Sequence, residues 1–371
     1  MYGATTRVEA ANPIADEMTP IVRNAWYVAC FSGELATGAL FARKIAGLRV
    51  VLFRDSQNRP VALLDQCPHR SYPLSKSKLD GDDIICGYHG LRFGKDGRCL
   101  DVPMQDRVPR SLCVRRFATV EESPLIWIWT GDPALAETTP TPGRDWFLDR
   151  GGWAKAEAYL HVRASYVHLH ENLLDLSHLT FLHSRTFGTP DYARAPTETE
   201  VTDDSIIVRR AVLPTRLPPI YAVPLNMEGK DAARIVTSSY VAPGLSISAV
   251  VLQDLTLPPN ERQDHHIRTA QLLTPEDQTS LHYHYIVARD FAMERTEMDG
   301  FILNNITAAF HEDVDALEAI TQGRLDSDRS FLVEHSVRTD QAGVAVKRLL
   351  KRLALREADG NTVASSSARN A

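Results

Sequence analysis

The chain has 371 residues, 24% of them charged, with a formal net charge of −6 and five cysteines. The length suggests two domains, and the acidic balance argues against a nucleic-acid binder. No run reaches the roughly 18 apolar residues of a membrane span, residues 1–20 lack the apolar centre of a signal peptide, and the cysteines are too few for a disulfide scaffold, so a reducing cytoplasm is expected.

Residues 1–19 are mixed and polar and read as a flexible arm, with Met18 a candidate native start. From Trp26 to about residue 130 the pattern is one of short strands. Leu48–Arg54, Pro60–Cys67 and Pro124–Gly131 are β-branched or aromatic runs bounded by turn residues. The stretch ETTPTPG (Glu137–Gly143) reads as a linker, taken as 137–147. A helical pattern covers roughly 165–183. Strand-like runs follow at Ser205–Leu213, Leu245–Leu252, Thr269–Pro275 and Leu281–Phe291. A long helix is predicted over 296–322. A last helix over 341–357 places Val346, Leu349, Leu350 and Leu353 on one face. Its basic residues Lys347, Arg348, Lys351, Arg352 and Arg356 suit a membrane surface, but a terminal helix docked on its own domain is the reading adopted. Residues 358–371 are small and polar and read as a disordered tail. The fold class is therefore α+β: an all-β domain over 20–136, then a domain over 148–357.

The most specific signal lies between Cys67 and Gly90, as Cys67-x-His69 and Cys86-x-x-His89. A structural zinc shell commonly pairs Cys with Cys and His with His at short spacing. Here each short motif supplies one of each, which suits two metal atoms better than one. In a Rieske centre one iron of a [2Fe–2S] cluster takes two thiolates and the other two imidazoles. Cys67 and Cys86 would hold the inner iron, His69 and His89 the outer. Neutral histidines in place of thiolates raise the reduction potential. Pro68, Gly87 and Gly90 fit the tight loops, with N–H groups available to the sulfurs, and Tyr88 is a candidate hydroxyl donor. Cys30, Cys99 and Cys113 have no matching histidine and read as buried structural cysteines.

A second constellation lies in ENLLDLSHLTFLH, which holds Glu171, Asn172, Asp175, His178 and His183. Asn172, Asp175 and His178 recur every third residue and can share a helical face. His178 and His183 lie about 140° apart on an ideal helix, so both reach one metal only if the helix ends or bulges between them. Two histidines and a distant carboxylate form a facial triad for Fe(II). FHEDVDALEAI offers Glu312, Asp313, Asp315 and Glu318, and geometry alone does not choose among them.

With both constellations the chain resembles the oxygenase components of Rieske non-haem iron oxygenases, and among them the single-subunit monooxygenases and O-demethylases such as vanillate and dicamba demethylases. The resemblance runs from RNAWYVAC (Arg23–Cys30) to the last helix. It implies a Rieske domain followed by a helix-grip catalytic domain, with a curved antiparallel sheet around a pocket. It puts the iron carboxylate on Asp313, with Asp315 second. It implies a head-to-tail homotrimer in which Asp175 links His178 of one subunit to the neighbour's His89. Its cofactors are the Rieske [2Fe–2S] cluster and mononuclear Fe(II), with NADH and flavin belonging to a separate reductase or ferredoxin system; no dinucleotide fingerprint is present in this chain. Substrate and O2 are the small-molecule partners, and no nucleic acid or membrane is implied. The implied reaction is hydroxylation or O-demethylation of a small, aromatic substrate, with ring hydroxylation and N-demethylation as alternatives within the family. Departures from the family pattern are Leu91 where many relatives carry tryptophan, Gln271 at a pocket histidine position, and Asn304 nine residues before Asp313. Gln271, Asn304 and His282 are the candidate pocket residues, with His282 and His284 expected on one strand face; His311 reads as a neighbour only. Two rivals stand beside this: a Rieske electron carrier, and a zinc-stabilised ligand-binding module.

Overall fold

The computed structural model describes residues 15–16, 19–328 and 334–367, with side chains to residue 359. Met18 and most of the expected arm lie outside the described residues. Ala15, however, is buried and donates its N–H to the Lys347 carbonyl at 3.0 Å.

The first part is all-β: β1 (Trp26–Phe31), β2 (Phe41–Ile45), β3 (Leu48–Arg54), β4 (Pro60–Leu64), β5 (Lys78–Asp80), β6 (Asp83–Ile85), β7 (Arg92–Phe93), β8 (Cys99–Asp101), β9 (Arg116–Glu122) and β10 (Leu125–Trp129). One sheet has the order β1-β10-β9-β4-β3-β2, and β5 to β8 form a smaller one in sequence order. Every residue of β1 and β10 is buried. Their runs, WYVACF and LIWIW, are aromatic and branched residues that suit a pleated surface covered on both sides.

The second part holds α1 (Pro133–Ala136), β11 (Ala154–Val162), α2 (Tyr166–Leu174), β12 (Thr197–Val201), β13 (Ile206–Thr215), α3 (Pro219–Leu225), β14 (Ala232–Ala242), β15 (Leu245–Asp254), β16 (His265–Pro275), β17 (Leu281–Arg289), α4 (Glu297–Asp326) and α5 (Gln341–Ser367). Seven strands form an antiparallel sheet of order β11-β17-β16-β15-β14-β13-β12. Register shifts at Val212/Thr215 and Tyr240/Ala242 mark bulges, which bend a sheet locally.

All nine residues of β17 are buried, so both faces of the sheet are covered. Tyr283 and Tyr285 point to the helix side, where both rings pack on Phe310 of α4. Ile286 and Ala288 point the other way, into a cluster with Trp127, Trp129 and Val28 of the first domain. The first domain thus packs on the face of this sheet opposite α4. Hydrogen bonds from Thr274 Oγ1 to the Val28 carbonyl (2.7 Å) and from Ala46 N to the Pro275 carbonyl (2.7 Å) tie them.

Three expectations need correction. The segment 137–147 is no loose linker, because Trp146 and Phe147 are buried in the inter-domain cluster. The last helix does not stop at 357: its backbone runs to Ser367, through most of the expected tail, as helices propagate easily once nucleated. The helix expected over 165–183 ends at Leu174, where Asp175 turns extended (φ −93°, ψ 104°). Asn172, Asp175 and His178 therefore share no single helix face. The docking of the last helix agrees with its pattern: Val346 and Leu350 are fully buried, and Lys347 pairs with Glu171 at 2.6 Å.

Candidate metal centres

The two Cys/His motifs occupy matched loops, the first between β4 and β5, the second between β6 and β7. In each, the cysteine N–H donates to the carbonyl five residues on: Cys67 to Tyr72 and Cys86 to Leu91, both at 2.8 Å. In each, the cysteine carbonyl accepts from the residue four on, Ser71 N at 2.8 Å and Gly90 N at 2.9 Å. Ser71 (φ 55°) and Gly90 (φ 74°) occupy equivalent positions in the left-handed region that such a turn demands.

This geometry puts Cys67 and Cys86 inside, in an apolar cluster with Leu74, Ile84, Leu91 and Phe93. Burial pushes the Cys67 thiol up, with Cys86 beside it. The histidines sit at the outer end, their rings 4.6 Å apart, His69 exposed and His89 half-buried. An inner sulfur pair and an outer imidazole pair fit a two-iron cluster. A single zinc would draw all four donors around one point, whereas the one group of three or more ligands within 4.8 Å of one another among the described residues lies elsewhere. Tyr88, the candidate hydroxyl donor, is 59% exposed and lies against His89 with ring centroids 3.9 Å apart. Gly87 N donates to Ser77 Oγ, and Gly90 N is used within its own loop. Of the other cysteines only Cys30 is buried, its thiol pushed up to about 12 by desolvation; Cys99 is half-buried and Cys113 exposed.

The compact group is His178, His183 and Asp313. Ser165 caps the start of α2, accepting from Val167 N. At the other end Asp175 Oδ1 accepts from Ser177 N at 2.7 Å, an Asx turn that stops the helix. His178 follows on a separate turn, His178–Thr180. This break removes the angular problem of a five-residue spacing. His178 Nε2 and His183 Nε2 are 3.2 Å apart, and Asp313 Oδ1 lies 3.4 and 3.2 Å from them. A triangle with edges of about 3 Å is what three neighbouring ligands around one octahedral ion make.

The supports of this triangle are also in place. Glu312 Oε2 takes His183 Nδ1 at 2.8 Å and the Thr186 hydroxyl at 2.9 Å. Asn172 Nδ2 donates to Asp313 Oδ1 at 3.0 Å, and Asn172 Oδ1 is buried without a partner. Burial lowers the pKa of His183, but hydrogen bonds to Asp313 and Glu312 outweigh it and the net shift is upward. Asp175 is held below the usual range: burial raises it, while His178 and Ser177 lower it more. Its Oδ2 lies 3.8 Å from His178 Nδ1.

Of the four acidic candidates only Asp313 meets both histidines. Asp315 and His311 are exposed, and Glu318 pairs with Arg163 at 3.0 Å. Glu312 was legible only as an alternative ligand; its orienting role depends on the loop that carries Thr186.

The triad borders a cavity whose walls include Leu173, Phe187, Val250, Ile267 and Phe310. Gln271 lines it, bonded to Ser248 Oγ at 2.7 Å and to the Tyr283 hydroxyl. Asn304 does not: it is exposed on the outer side of α4. Nor does His282, whose ring meets Tyr159, Arg43 and the Lys44 carbonyl on the opposite sheet face. Arg234, which also lines the cavity, escaped the sequence reading because nothing in RIVTSSY marks which arginine faces inward.

Among the described residues no helix is long and apolar enough to cross a membrane. Residues 25–117 match the Rieske [2Fe-2S] domain family, and residues 162–356 match the vanillate O-demethylase oxygenase C-terminal domain family. The chain is 32% identical to a toluene-4-sulfonate monooxygenase iron-sulfur subunit of Comamonas testosteroni, over 80% of this chain and 87% of that protein. It is 30% identical to the vanillate O-demethylase oxygenase subunit of a Pseudomonas species, over 93% and 99%. The crystal structure of dicamba monooxygenase bound to 3,6-dichlorosalicylic acid superposes with a TM-score of 0.84 at 31% identity, covering 91% of this chain and 99% of that one. The chain thus belongs to the Rieske-type oxygenase components, oxidoreductases built of a Rieske [2Fe–2S] domain joined to a catalytic domain of the vanillate O-demethylase family.

Proposed function

We propose that this chain is a terminal monooxygenase acting on a small aromatic compound. Cys67, Cys86, His69 and His89 hold its cluster, and His178, His183 and Asp313 hold a mononuclear Fe(II). The domains divide within 137–147, and the second runs on through the last helix. The observation that carries the reading is the convergence of two imidazoles and one carboxylate, on 3.2–3.4 Å edges, beside a largely apolar cavity in a chain that also has the two Cys/His loops. When bound, the two centres supply stored electrons and dioxygen activation at a substrate C–H bond.

The chain's own residues do the rest. Glu312 holds His183 so that Nε2 faces the metal, and Asn172 holds Asp313 Oδ1. Leu173, Ile267 and Phe310 give the pocket its apolar walls. NADH and flavin enter through a separate reductase or ferredoxin in the cytoplasm. The active form is a homotrimer. Asp175, 30% exposed beside His178, bridges to the neighbouring subunit's cluster histidine.

The test is turnover of methoxylated and methylated aromatics with a surrogate reductase under oxygen-18-labelled dioxygen. The expected result is a hydroxylated product carrying the label, or formaldehyde carrying it when trapped before its oxygen exchanges with water, with Asp175→Asn keeping both metals but turning over more slowly. Unlabelled product would reject the oxygenase reading, and an Asp175→Asn protein running at the parent rate would remove the bridge.

A further inference from the structure

Arg234 lies on β14 and is 1% exposed. It is the only lysine or arginine among the described residues that line the cavity beside the triad. Its guanidinium sits between two aromatic faces, 5.0 Å from the Tyr192 centroid and 5.0 Å from that of Tyr221. Nη1 donates to the Phe187 carbonyl at 2.7 Å, and Nε is buried with no partner. No carboxylate among the described residues lies within 4.0 Å of it.

Arg210, on the neighbouring strand, shows what a purely structural arginine looks like here. It is also buried and lies 5.1 Å from the Tyr192 centroid, yet all three of its nitrogens are engaged: Nε and Nη2 on Thr197 Oγ1, and Nη1 on the Leu176 and Tyr192 carbonyls. A guanidinium stays charged at any working pH. Burying it without a counter-charge is costly, and two ring faces and one carbonyl offset only part of that cost. Arg234 keeps both its charge and donor capacity at the wall of the cavity that the triad borders.

We infer that Arg234 is the anchor for an oxyanion, a carboxylate or sulfonate, carried by the substrate. The inference rests on the proposed function and adds the substrate's charge. Phe187 sets the orientation: its carbonyl holds the guanidinium, and its ring lies 4.6 Å from that of His183. An anion seated on Arg234 leaves the uncharged end of the ring free in the cavity that the triad borders. Gln271 does not compete for this role, because both ends of its amide are engaged by Ser248 and Tyr283.

The test is equilibrium binding to the iron-loaded holoenzyme by calorimetry, with no turnover. The probes are 3-methoxybenzoate against 3-methoxybenzamide, and 4-toluenesulfonate against 4-toluenesulfonamide. At least one acid is expected to bind about tenfold or more tightly than its neutral partner; which acid does so separates carboxylate from sulfonate recognition. Arg234→Met should abolish that ratio while leaving the neutral probe's affinity within about twofold, and Arg234→Lys should keep part of it. Acids that bind no better than their amides in the parent protein would overturn the anchor, as would an Arg234→Met protein, with an intact Rieske spectrum, that retains the preference. The parent comparison decides even if Arg234→Met fails to fold. Labelled product without acid preference would reject Arg234 alone; acid preference without labelled product would reject the oxygenase reading alone.

Discussion

Glu312 and Asp313 are adjacent on α4, yet side-chain length and a turn of about 100° give them different work. The shorter Asp313 is buried and meets the Nε2 atoms of both histidines; the longer Glu312 reaches round to Nδ1 of His183. A carboxylate behind a ligating imidazole fixes its tautomer and raises its basicity. Glu312→Ala should therefore weaken mononuclear iron binding about 10–100-fold while leaving the cluster's visible spectrum unchanged. Chelator competition measures this, and an unchanged iron affinity would remove the orienting role. At this scale the candidate metal-binding residues stood out because Cys, His and Asp in those spacings have few other uses, and His178, His183 and Asp313 do converge. Of the three pocket candidates only Gln271 lines the cavity. The sequence places His282 and His284 on one strand face, and so they lie, but β17 is covered on both sides. Alternation gives the parity of a buried strand and not which layer each face meets, so His282 belongs to the domain interface. Asn304 failed for a related reason: a position relative to Asp313 along the chain says nothing about the far side of a helix.

Elements with an unbroken apolar or periodic pattern were legible within a few residues. Leu48–Arg54 is β3, Leu245–Leu252 lies within β15, and the helix expected over 296–322 is α4 (Glu297–Asp326). Elements with mixed patterns were missed. β14 reads AARIVTSSYVA, half of it small or polar, because one face lines the cavity and takes its definition from neighbours on both edges. α3 contains Pro224 within its seven residues and carries no helical signature. The end of α2 was anticipated only as a requirement of the metal, since LLDLSH contains no proline or glycine; the stop comes from Asp175 bonding its own backbone at Ser177. The buried Trp146 and Phe147 show the limit of composition: a proline- and threonine-rich stretch reads as a linker whether or not its end is packed.

At the scale of the whole molecule, the seven-stranded sheet is covered by the first domain on one face and by helices on the other, and this double cover buries histidines without charge. His284, fully buried beside Phe31, is driven well below its ordinary value, by burial first and then by Arg43. His282 is lowered to about 4 by burial and Arg43, and His170, between Ser246 and the Pro243 carbonyl, to about 4 by burial. Unfolded, all three titrate near 6.5. As pH falls from about 6.5 towards 4 the unfolded chain takes up protons that the folded chain refuses, so stability is present at neutral pH and lost across that window. His170 alone contributes about 3 kcal/mol to that loss. The thermal midpoint is expected to drop steeply between pH 6.5 and 4, with several protons taken up on unfolding; a flat profile would show that these rings are hydrated.

The central claim is that one chain holds two unlike iron sites on named residues. Iron and acid-labile sulfide analysis of anaerobically purified protein tests it most directly, on the parent and on Asp313→Ala. The account predicts about three irons and two sulfides per parent chain, and about two of each in the variant. Zinc without sulfide in the parent, or three irons retained in Asp313→Ala, would contradict it.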